Sequence, residues 1–167
     1  IYTGATRNAD RWHLVGIGEN DGVDLWVYSA HLKASKGSEN KEQRLFGAKA
    51  ILEDIATLPE DANVVVAGDM NLYSIREPAY QAFIKVLTDP LGTDEWSGED
   101  DAEKHTQSPR KVRGGGLASG GMDDRFDFQF ISKSLQDGVG LEIIEGSYHS
   151  LGNDGKHYDI AINDGDN

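Results

Sequence analysis

The sequence predicts a mixed α/β fold in which β-strands and α-helices alternate along the chain. In residues 23–29, Val23, Leu25 and Val27 alternate with other side chains, which is the period of a β-strand. Residues 39–57 repeat apolar side chains at the spacing of a helix. Residues 64–66 are three valines, a run typical of a strand buried on both faces. The length of 167 residues predicts one domain.

The first elements are a β-hairpin and a helix. Residues 12–17 and 23–29 are predicted to be two strands, joined by the turn Glu19-Asn20-Asp21-Gly22. The helix over 39–57 is predicted from four apolar residues at helical spacing, Leu45, Ala48, Leu52 and Ile55. Because proline cannot continue a helix, Pro59 helps to end it.

The middle of the chain repeats the strand and helix order. Residues 63–67 are predicted to form a buried strand that ends at Gly68-Asp69-Met70-Asn71. A second helix is predicted over residues 77–87, with Pro78 tolerated in its first turn. Residues 88–121 have no clear period, and so long a loop inside a domain is usually functional or mobile.

Three further strands are predicted in the last part of the chain, over residues 125–132, 141–148 and 158–162. In the first of them Phe126, Phe128 and Phe130 alternate with Arg125, Asp127 and Gln129. This alternation predicts that the phenylalanines enter the core and that Asp127 lies on the opposite face of the sheet.

Composition limits the classes of function. The net charge of −13 argues against binding nucleic acid through a general basic patch. It does not exclude a phosphodiesterase, because a divalent cation in the site can invert the local field. The absence of cysteine excludes disulfides, zinc–thiolate sites and cysteine nucleophiles. No apolar run in the sequence is long enough to cross a membrane.

Four segments at predicted strand ends carry residues suited to catalysis. Asp69 and Asn71 could hold a metal ion, a water or a phosphoryl oxygen, or could form a simple Asx-turn. His31 could donate to a phosphate or be an ordinary strand-end histidine. Asp127 could orient His157 for acid–base work, or pair with Arg125 and leave His157 in a surface turn.

The order of these segments resembles the endonuclease/exonuclease/phosphatase superfamily, which has the DNase I-like fold. The specific motifs are Gly68-Asp69-Met70-Asn71 and Arg125-Phe126-Asp127-Phe128. Further likeness to secreted bacterial members lies in residues 28–34, 77–80 and 120–127. The resemblance implies a four-layer αββα sandwich, of which this chain would be the C-terminal part.

The resemblance also implies roles for the candidate residues. His31 would contact the scissile phosphate or act as an acid, and Asp69 would orient or deprotonate the attacking water. Asn71 would hold a phosphoryl oxygen, and Asp127 would orient His157, which would bind phosphate or act as base. Mg²⁺ or Mn²⁺ is the implied cofactor, with ligands predicted to be Asp69, Asn71 and Asp154.

Two departures from the family pattern matter. The family usually has an aspartate directly before its last histidine, where this chain has Lys156, so Asp154 is the nearest upstream acid. The family also places its first metal-binding Asn and Glu in an N-terminal half that precedes a segment like residues 12–27. We therefore expect residues 1–167 to be a partial domain with an exposed apolar sheet surface.

The predicted function is hydrolysis of phosphodiesters in nucleic acid by a metal-activated water, in an extracellular or periplasmic protein. A phospholipid or sugar-phosphate esterase and a non-catalytic binding module are the alternatives. A lipid-directed enzyme would expose aromatic side chains on a loop, and Trp96 is the single candidate. A nuclease would place cations near its groove, and four basic residues are candidates, Lys104, Arg110, Lys111 and Arg113.

Overall fold

A single mixed sheet forms the centre of the computed structural model, which describes residues 1–4, 7–107, 110, 121–161 and 164. Within these residues the neighbouring strands are β1, β2, β3 and β4 in that order. β2 and β3 run parallel, and the two outer pairs are antiparallel. The strands are β1 (Asp10–Val15), β2 (Asp24–His31), β3 (Val64–Asp69) and β4 (Asp127–Ile131). The predicted α/β class is confirmed.

Two α-helices connect and cover the strands. Helix α1 (Ser38–Ile55) links β2 to β3, as a parallel pair requires a crossover. Helix α2 (Pro78–Ile84) follows β3 and begins with proline, whose missing N–H is not needed in the first turn. Short 3₁₀ turns occupy residues 18–20, 99–104 and 133–136.

The hydrophobic core lies between one face of the sheet and the two helices. Tyr28, Val66 and Phe130 are neighbours across the strands and are fully buried. Ile51 of α1 and Phe83 of α2 are also fully buried, in the same cluster. Burial of such side chains is worth about 1.5–3 kcal/mol each, so this layer provides the main stabilisation of the described chain.

Two buried ion pairs tie the loops to this core. Arg44 of α1 donates to both carboxylate oxygens of Glu77, and it also donates to the carbonyl oxygens of Lys33 and Ser35. Because both partners are almost fully enclosed, loss of either would leave an uncompensated buried charge. The bonds to Lys33 and Ser35 hold the loop that follows β2.

The second buried pair corrects the predicted position of Arg125. Strand β4 begins only at Asp127, and Arg125 turns inward to donate to both oxygens of Asp89 at 2.9 and 3.0 Å. Its guanidinium also lies over the Phe128 ring. Arg125 is therefore not the partner of Asp127.

The opposite face of the sheet is open and partly apolar. We call the side chains of Trp12, Leu14, Leu25, Val27 and Val65 the open face, because the register places them on the side away from the core. Trp12 is 61% exposed and Leu14 is 52% exposed. The expected exposed apolar sheet surface is thus present.

Two of the predicted strands do not form. Residues 141–148, predicted to be a strand, are turns and irregular structure. Gly138 and Gly140 before this segment and Gly146 within it have positive φ, so the backbone repeatedly leaves the extended region. Around residues 158–162 the structure contains only a bridge between Tyr158 and Met122, and Ile162 lies outside the described residues.

Candidate active site

Three of the predicted site residues form one row at an edge of the sheet. His31 ends β2, Asp69 ends β3 and Asp127 begins β4. The register pairs His31 with Asp69 and Asp69 with Asp127. Because directly paired residues point to the same side, all three side chains leave the sheet on its open side. Parallel β2 and β3 explain the position, since their carboxyl ends meet at one edge.

His31 lies between a cation and a carboxylate. Its Nε2 is 3.4 Å from Oδ2 of Asp69, and its Nδ1 is 2.6 Å from Nη1 of Arg7. An arginine can only donate, so Nδ1 of the imidazole accepts and the ring proton resides on Nε2. In this arrangement the Nε2–H of His31 faces the Asp69 carboxylate, and the expected roles of His31 as phosphate contact or acid stay predictions.

Asp69 has an electrostatic environment suited to proton transfer. Burial raises the pKa of its carboxyl group, and the neighbouring Asp127 raises it further. His31, the backbone N–H of Asn71 and Arg7 act in the opposite direction. A carboxylate with a raised pKa is a stronger base than an ordinary aspartate, and a base near the working pH is the more effective catalyst.

Asn71 forms hydrogen bonds that stabilise the same edge. Its backbone has φ 49°, in the left-handed region that asparagine tolerates, and its N–H donates to Oδ1 of Asp69 at 3.0 Å. Its side-chain amide donates to the carbonyl oxygen of Leu32 at 3.2 Å. The side chain is buried, so the geometry places Asn71 as a link between the loops after β2 and β3.

Gly68 allows the two parallel strands to approach closely at this edge. Its φ is 136°, and a Cβ atom built there would lie 2.0 Å from the carbonyl oxygen of Ala30. Only glycine satisfies both conditions without moving the backbone. The residue directly before Asp69 is therefore part of what brings Asp69 within reach of His31.

His157 has a different partner from the one expected. Its Nδ1 lies 2.8 Å from Oδ2 of Asp154, and its Nε2 lies 3.1 Å from the carbonyl oxygen of Asp164. The bond raises the pKa of His157 and lowers that of Asp154. Within the described residues His157 forms no hydrogen bond or ion pair with Asp127, and its carboxylate partner is Asp154, three residues earlier in the chain.

The predicted ligand set of Asp69, Asn71 and Asp154 stays a prediction. Within the described residues no three His, Asp or Glu side chains are close enough to hold a metal ion together. Asp154 forms an ion pair with His157, with 2.8 Å between Oδ2 and Nδ1. Asp69 and Asp127 alone provide two adjacent carboxylates, which are the oxygen donors that a hard divalent cation prefers.

Two contributors to this edge were not predicted from the sequence. Arg7 lies in a segment without any periodic pattern, so nothing in the sequence indicated its contact with His31. Thr106 accepts hydrogen bonds from the N–H groups of Phe126 at 3.0 Å and Asp127 at 2.8 Å. It thereby positions the start of β4, and only the folded loop brings it there.

The long loop supplies packing residues next to the site. Trp96 is buried and donates to Oδ1 of Asp124, so it is a packing residue. Burial raises the pKa of Asp124 to about 6. In the predicted basic run, Lys104 pairs with Asp101, while residues 111 and 113 lie outside the described part of the chain.

The sequence matches no protein-family model and no curated protein at a significant level. Its structure is similar to that of a beta toxin from Staphylococcus aureus, with a TM-score of 0.51 and 16% identity over 76% of this chain and 43% of that chain. A TDP2 from D. rerio, complexed with single strand DNA product, gives a TM-score of 0.44, 24% identity and coverages of 65% and 41%. A mannosyl-6-phosphatase from Bacteroides thetaiotaomicron gives a TM-score of 0.42 and 18% identity, over 68% of this chain and 39% of that chain.

The comparison with the beta toxin, whose TM-score is above 0.5, bears on the fold. The likeness to the beta toxin supports the predicted DNase I-like architecture, and the chain spans less than half the length of each of these three neighbours. None of the described helices is both long enough and apolar enough to span a lipid bilayer.

Proposed function

We propose that this chain carries part of the active site of a hydrolase that cleaves phosphodiester bonds, with nucleic acid as its substrate. The observation that carries the proposal is the row His31, Asp69 and Asp127 at one sheet edge, with His31 Nε2 3.4 Å from Asp69 Oδ2. A donor and a basic carboxylate side by side are what hydrolysis of a phosphate ester by water requires.

The proposed chemistry divides between these side chains. Asp69 orients the attacking water and accepts its proton, for which its raised pKa is suited. The Nε2–H of His31 donates to a phosphoryl oxygen and stabilises the charge that develops there. Arg7 and Asn71 act indirectly in this proposal. Arg7 fixes the tautomer of His31, and the backbone N–H of Asn71 orients the Asp69 carboxylate.

We include Mg²⁺ or Mn²⁺ in this proposal, with Asp69 and Asp127 as ligands from this chain. When bound, such an ion would neutralise charge on the phosphate. Two adjacent carboxylates repel each other without a cation, which is why Asp127 raises the pKa of Asp69. Mn²⁺ binding measured calorimetrically should therefore weaken in Asp127→Asn, independently of any activity.

The alternatives gain less support from the structure. The phospholipid reading relied on Trp96, which is buried and cannot insert into a lipid surface. The extracellular or periplasmic location and the partial-domain reading stay as proposals that the resemblance implies. His157 also stays in the proposal as a phosphate ligand or base.

Hydrolysis of bis(4-nitrophenyl) phosphate by the complete gene product that contains this chain tests the function. Asp69→Asn removes the proposed base, so kcat is expected to fall by about 10²-fold or more. Activity is also expected to disappear in EDTA and to return with Mg²⁺. Asp61→Asn is the matched control. Asp61 is an exposed carboxylate that precedes the first residue of β3, at the opposite end of the strand from Asp69.

Full activity in Asp69→Asn, or activity that survives EDTA, would contradict the proposal. His157→Ala separates two versions of the site. Loss of activity would place His157 in the site as the resemblance implies. Unchanged activity would restrict the site to the strand edge.

A further inference from the structure

His105 is a fully buried histidine that has no part in the chemistry proposed above. It directly follows the 3₁₀ turn of residues 99–104 and precedes Thr106, which positions the start of β4. Burying an ionisable side chain costs free energy unless its polar atoms find partners. The partners of the His105 ring therefore indicate what this side chain does.

Both ring nitrogens of His105 face carbonyl oxygens. Nδ1 lies 3.0 Å from the carbonyl oxygen of Met122, and Nε2 lies 2.7 Å from that of Trp96. A carbonyl oxygen can only accept a hydrogen bond, whereas a neutral imidazole has a single N–H. Both bonds together therefore require a ring that is protonated at both nitrogens and carries a positive charge. The distance of 2.7 Å is typical of a charge-assisted bond.

The charge on His105 has a largely buried carboxylate as its neighbour, that of Asp124. Burial raises the pKa of Asp124 to about 6, and the attraction of His105 is one of the effects that act in the opposite direction. Asp124 is thus ionised at neutral pH and compensates the imidazolium. Its Oδ1 also accepts hydrogen bonds from Nε1 of Trp96 and from the backbone N–H of Arg125. The other titratable or charged groups around His105 in the described chain are Tyr158, with 5.9 Å between the ring centroids, Asp127 and His149, which line one cavity with it, Asp123 and Arg125, which flank Asp124, and Glu99, Asp100, Asp101, Glu103 and Lys104 of the preceding turn.

Thr106 connects His105 to β4. Its Oγ1 accepts hydrogen bonds from the N–H groups of Phe126 and Asp127, and its own N–H donates to the carbonyl oxygen of Asp124 at 3.2 Å. Because His105 and Thr106 are consecutive, the ring of the first and the hydroxyl of the second attach one short segment to the start of β4. Release of the ring would therefore loosen the hydroxyl contact with Asp127.

We propose that His105 is a positioning residue of the proposed active site. Its imidazolium bridges Trp96 and Met122 and so holds its neighbour Thr106 against β4. Thr106 in turn fixes Asp127 in the catalytic row. When the pH rises and the ring loses a proton, one of the two carbonyl oxygens faces a nitrogen lone pair, so that bond is lost. The proposal rests on the hydrolase function proposed above, to which it adds a dependence on the charge of a residue outside the catalytic row.

Nuclear magnetic resonance of the complete protein tests the proposal without requiring turnover. In a titration from about pH 6.5 to about pH 9, the ¹⁵N shifts of the His105 ring are expected to show two protonated nitrogens at the start and one at the end. The protection of the Asp127 N–H against hydrogen exchange, corrected for the intrinsic rate, should fall about tenfold with the same midpoint, as for one lost hydrogen bond. A ring with one proton throughout, or protection of Asp127 that does not follow the ring, would overturn the proposal.

Hydrolysis of bis(4-nitrophenyl) phosphate shows whether this contact serves the active site. The alkaline side of the kcat profile is informative, because the acid side also contains the titration of Asp69. In the wild type kcat should decline with the midpoint of the His105 ring. His105→Gln puts an uncharged amide in place of the charged ring, so its kcat should be about tenfold lower at about pH 6.5, with KM little changed, and should lack this decline. His149→Gln is the matched control and should keep the wild-type profile, because His149 is an exposed histidine of the same cavity.

The remaining outcomes separate this proposal from the hydrolase proposal. A His105→Gln profile that keeps the wild-type decline would overturn it, as would a decline that His149→Gln removes. If His105→Gln does not fold, the wild-type titration of the ring and of the Asp127 N–H decides. If Asp127 follows the charge of His105 but bis(4-nitrophenyl) phosphate is not hydrolysed, the link from His105 to β4 stands and the hydrolase proposal fails. Hydrolysis with a kcat independent of His105 gives the opposite result.

Discussion

At the scale of single residues, the state of His31 is set by its neighbour Arg7. The guanidinium lies 2.6 Å from Nδ1, which leaves Nε2 to carry the proton and to face Asp69. An imidazole with the other tautomer would present a lone pair to Asp69, and two acceptors would then oppose each other. Arg7 is thus a positioning residue whose effect is exerted through the histidine.

Replacement of Arg7 by methionine should release the tautomer of His31. Because no donor then faces Nδ1, both neutral tautomers become populated, whereas Arg7→Gln retains an N–H donor. The ¹⁵N chemical shifts of the His31 ring report this directly. The wild type and Arg7→Gln should show a protonated Nε2, and Arg7→Met a mixture. The kcat of Arg7→Met should fall by roughly tenfold, as when outer partners of functional histidines are lost.

An unchanged tautomer in Arg7→Met would show that Asp69 alone orients the ring. Thermal unfolding measured in parallel tests whether Arg7→Met disturbs the fold as a whole. Because Arg7 is exposed, its loss should leave Tm nearly unchanged.

The residues that sequence reasoning identified and those it missed differ in a physical way. His31, Asp69 and Asp127 were predicted because each lies at a strand end, and strand periodicity is visible in the sequence. The pairs Arg7–His31 and Asp154–His157 depend on loop and turn conformations, which leave no such periodic signal.

At the scale of elements, the close approach of β2 and β3 determines the site. The residue pairs Ala30–Gly68 and His31–Asp69 are consecutive steps of one parallel ladder. Any change that separates the first pair therefore also separates the second. Gly68 has the smallest side chain possible at the tightest point, which makes it a structural requirement for the proposed chemistry.

Gly68→Ala is expected to destabilise the fold by about 2 kcal/mol or more, with a Tm lowered by at least about 4 °C. The added methyl group would lie 2.0 Å from the carbonyl oxygen of Ala30, so the backbone must move. Gly138→Ala is the matched control, because Gly138 also has a positive φ but has open space around it. Thermal unfolding of both variants measures the difference.

Equal losses in the two variants would mean that backbone strain alone, and not the collision with Ala30, explains the cost at Gly68. A larger loss in Gly68→Ala should be accompanied by a drop in kcat, since Asp69 moves with its neighbour.

Element prediction succeeded where neighbouring elements reinforced the local pattern. The hairpin, helix α1 and strands β3 and β4 all occur within a few residues of their predicted positions. Residues 141–148 contain apolar residues but have no partner strand among the described residues. An isolated strand cannot satisfy its backbone hydrogen bonds, so the pattern alone was not sufficient there.

At the scale of the whole molecule, the distribution of apolar surface is uneven. One face of the sheet is covered by α1 and α2, while the open face presents Trp12 and Leu14 at 61% and 52% exposure. Single exposed apolar residues are common, but a contiguous group on a sheet is a usual site of association. The net charge of −13 opposes contact between two copies of the chain.

These two effects predict how the isolated 167-residue chain behaves in solution. Apolar contact acts at short range, whereas repulsion between exposed charges is screened over about 8 Å at physiological ionic strength. Self-association should therefore be weak at low salt and increase with added salt. Trp12→Glu should reduce it, because it places a charge on the open face. Sedimentation velocity over a range of concentrations measures the effect.

Val86→Lys provides the control, since Val86 is 48% exposed but lies after α2, away from the open face. A chain that stays monomeric at high salt, or association that Val86→Lys suppresses as strongly as Trp12→Glu, would remove the open face as its cause. Association that depends on Trp12 and strengthens with salt would instead show that the open face is the surface through which the chain associates.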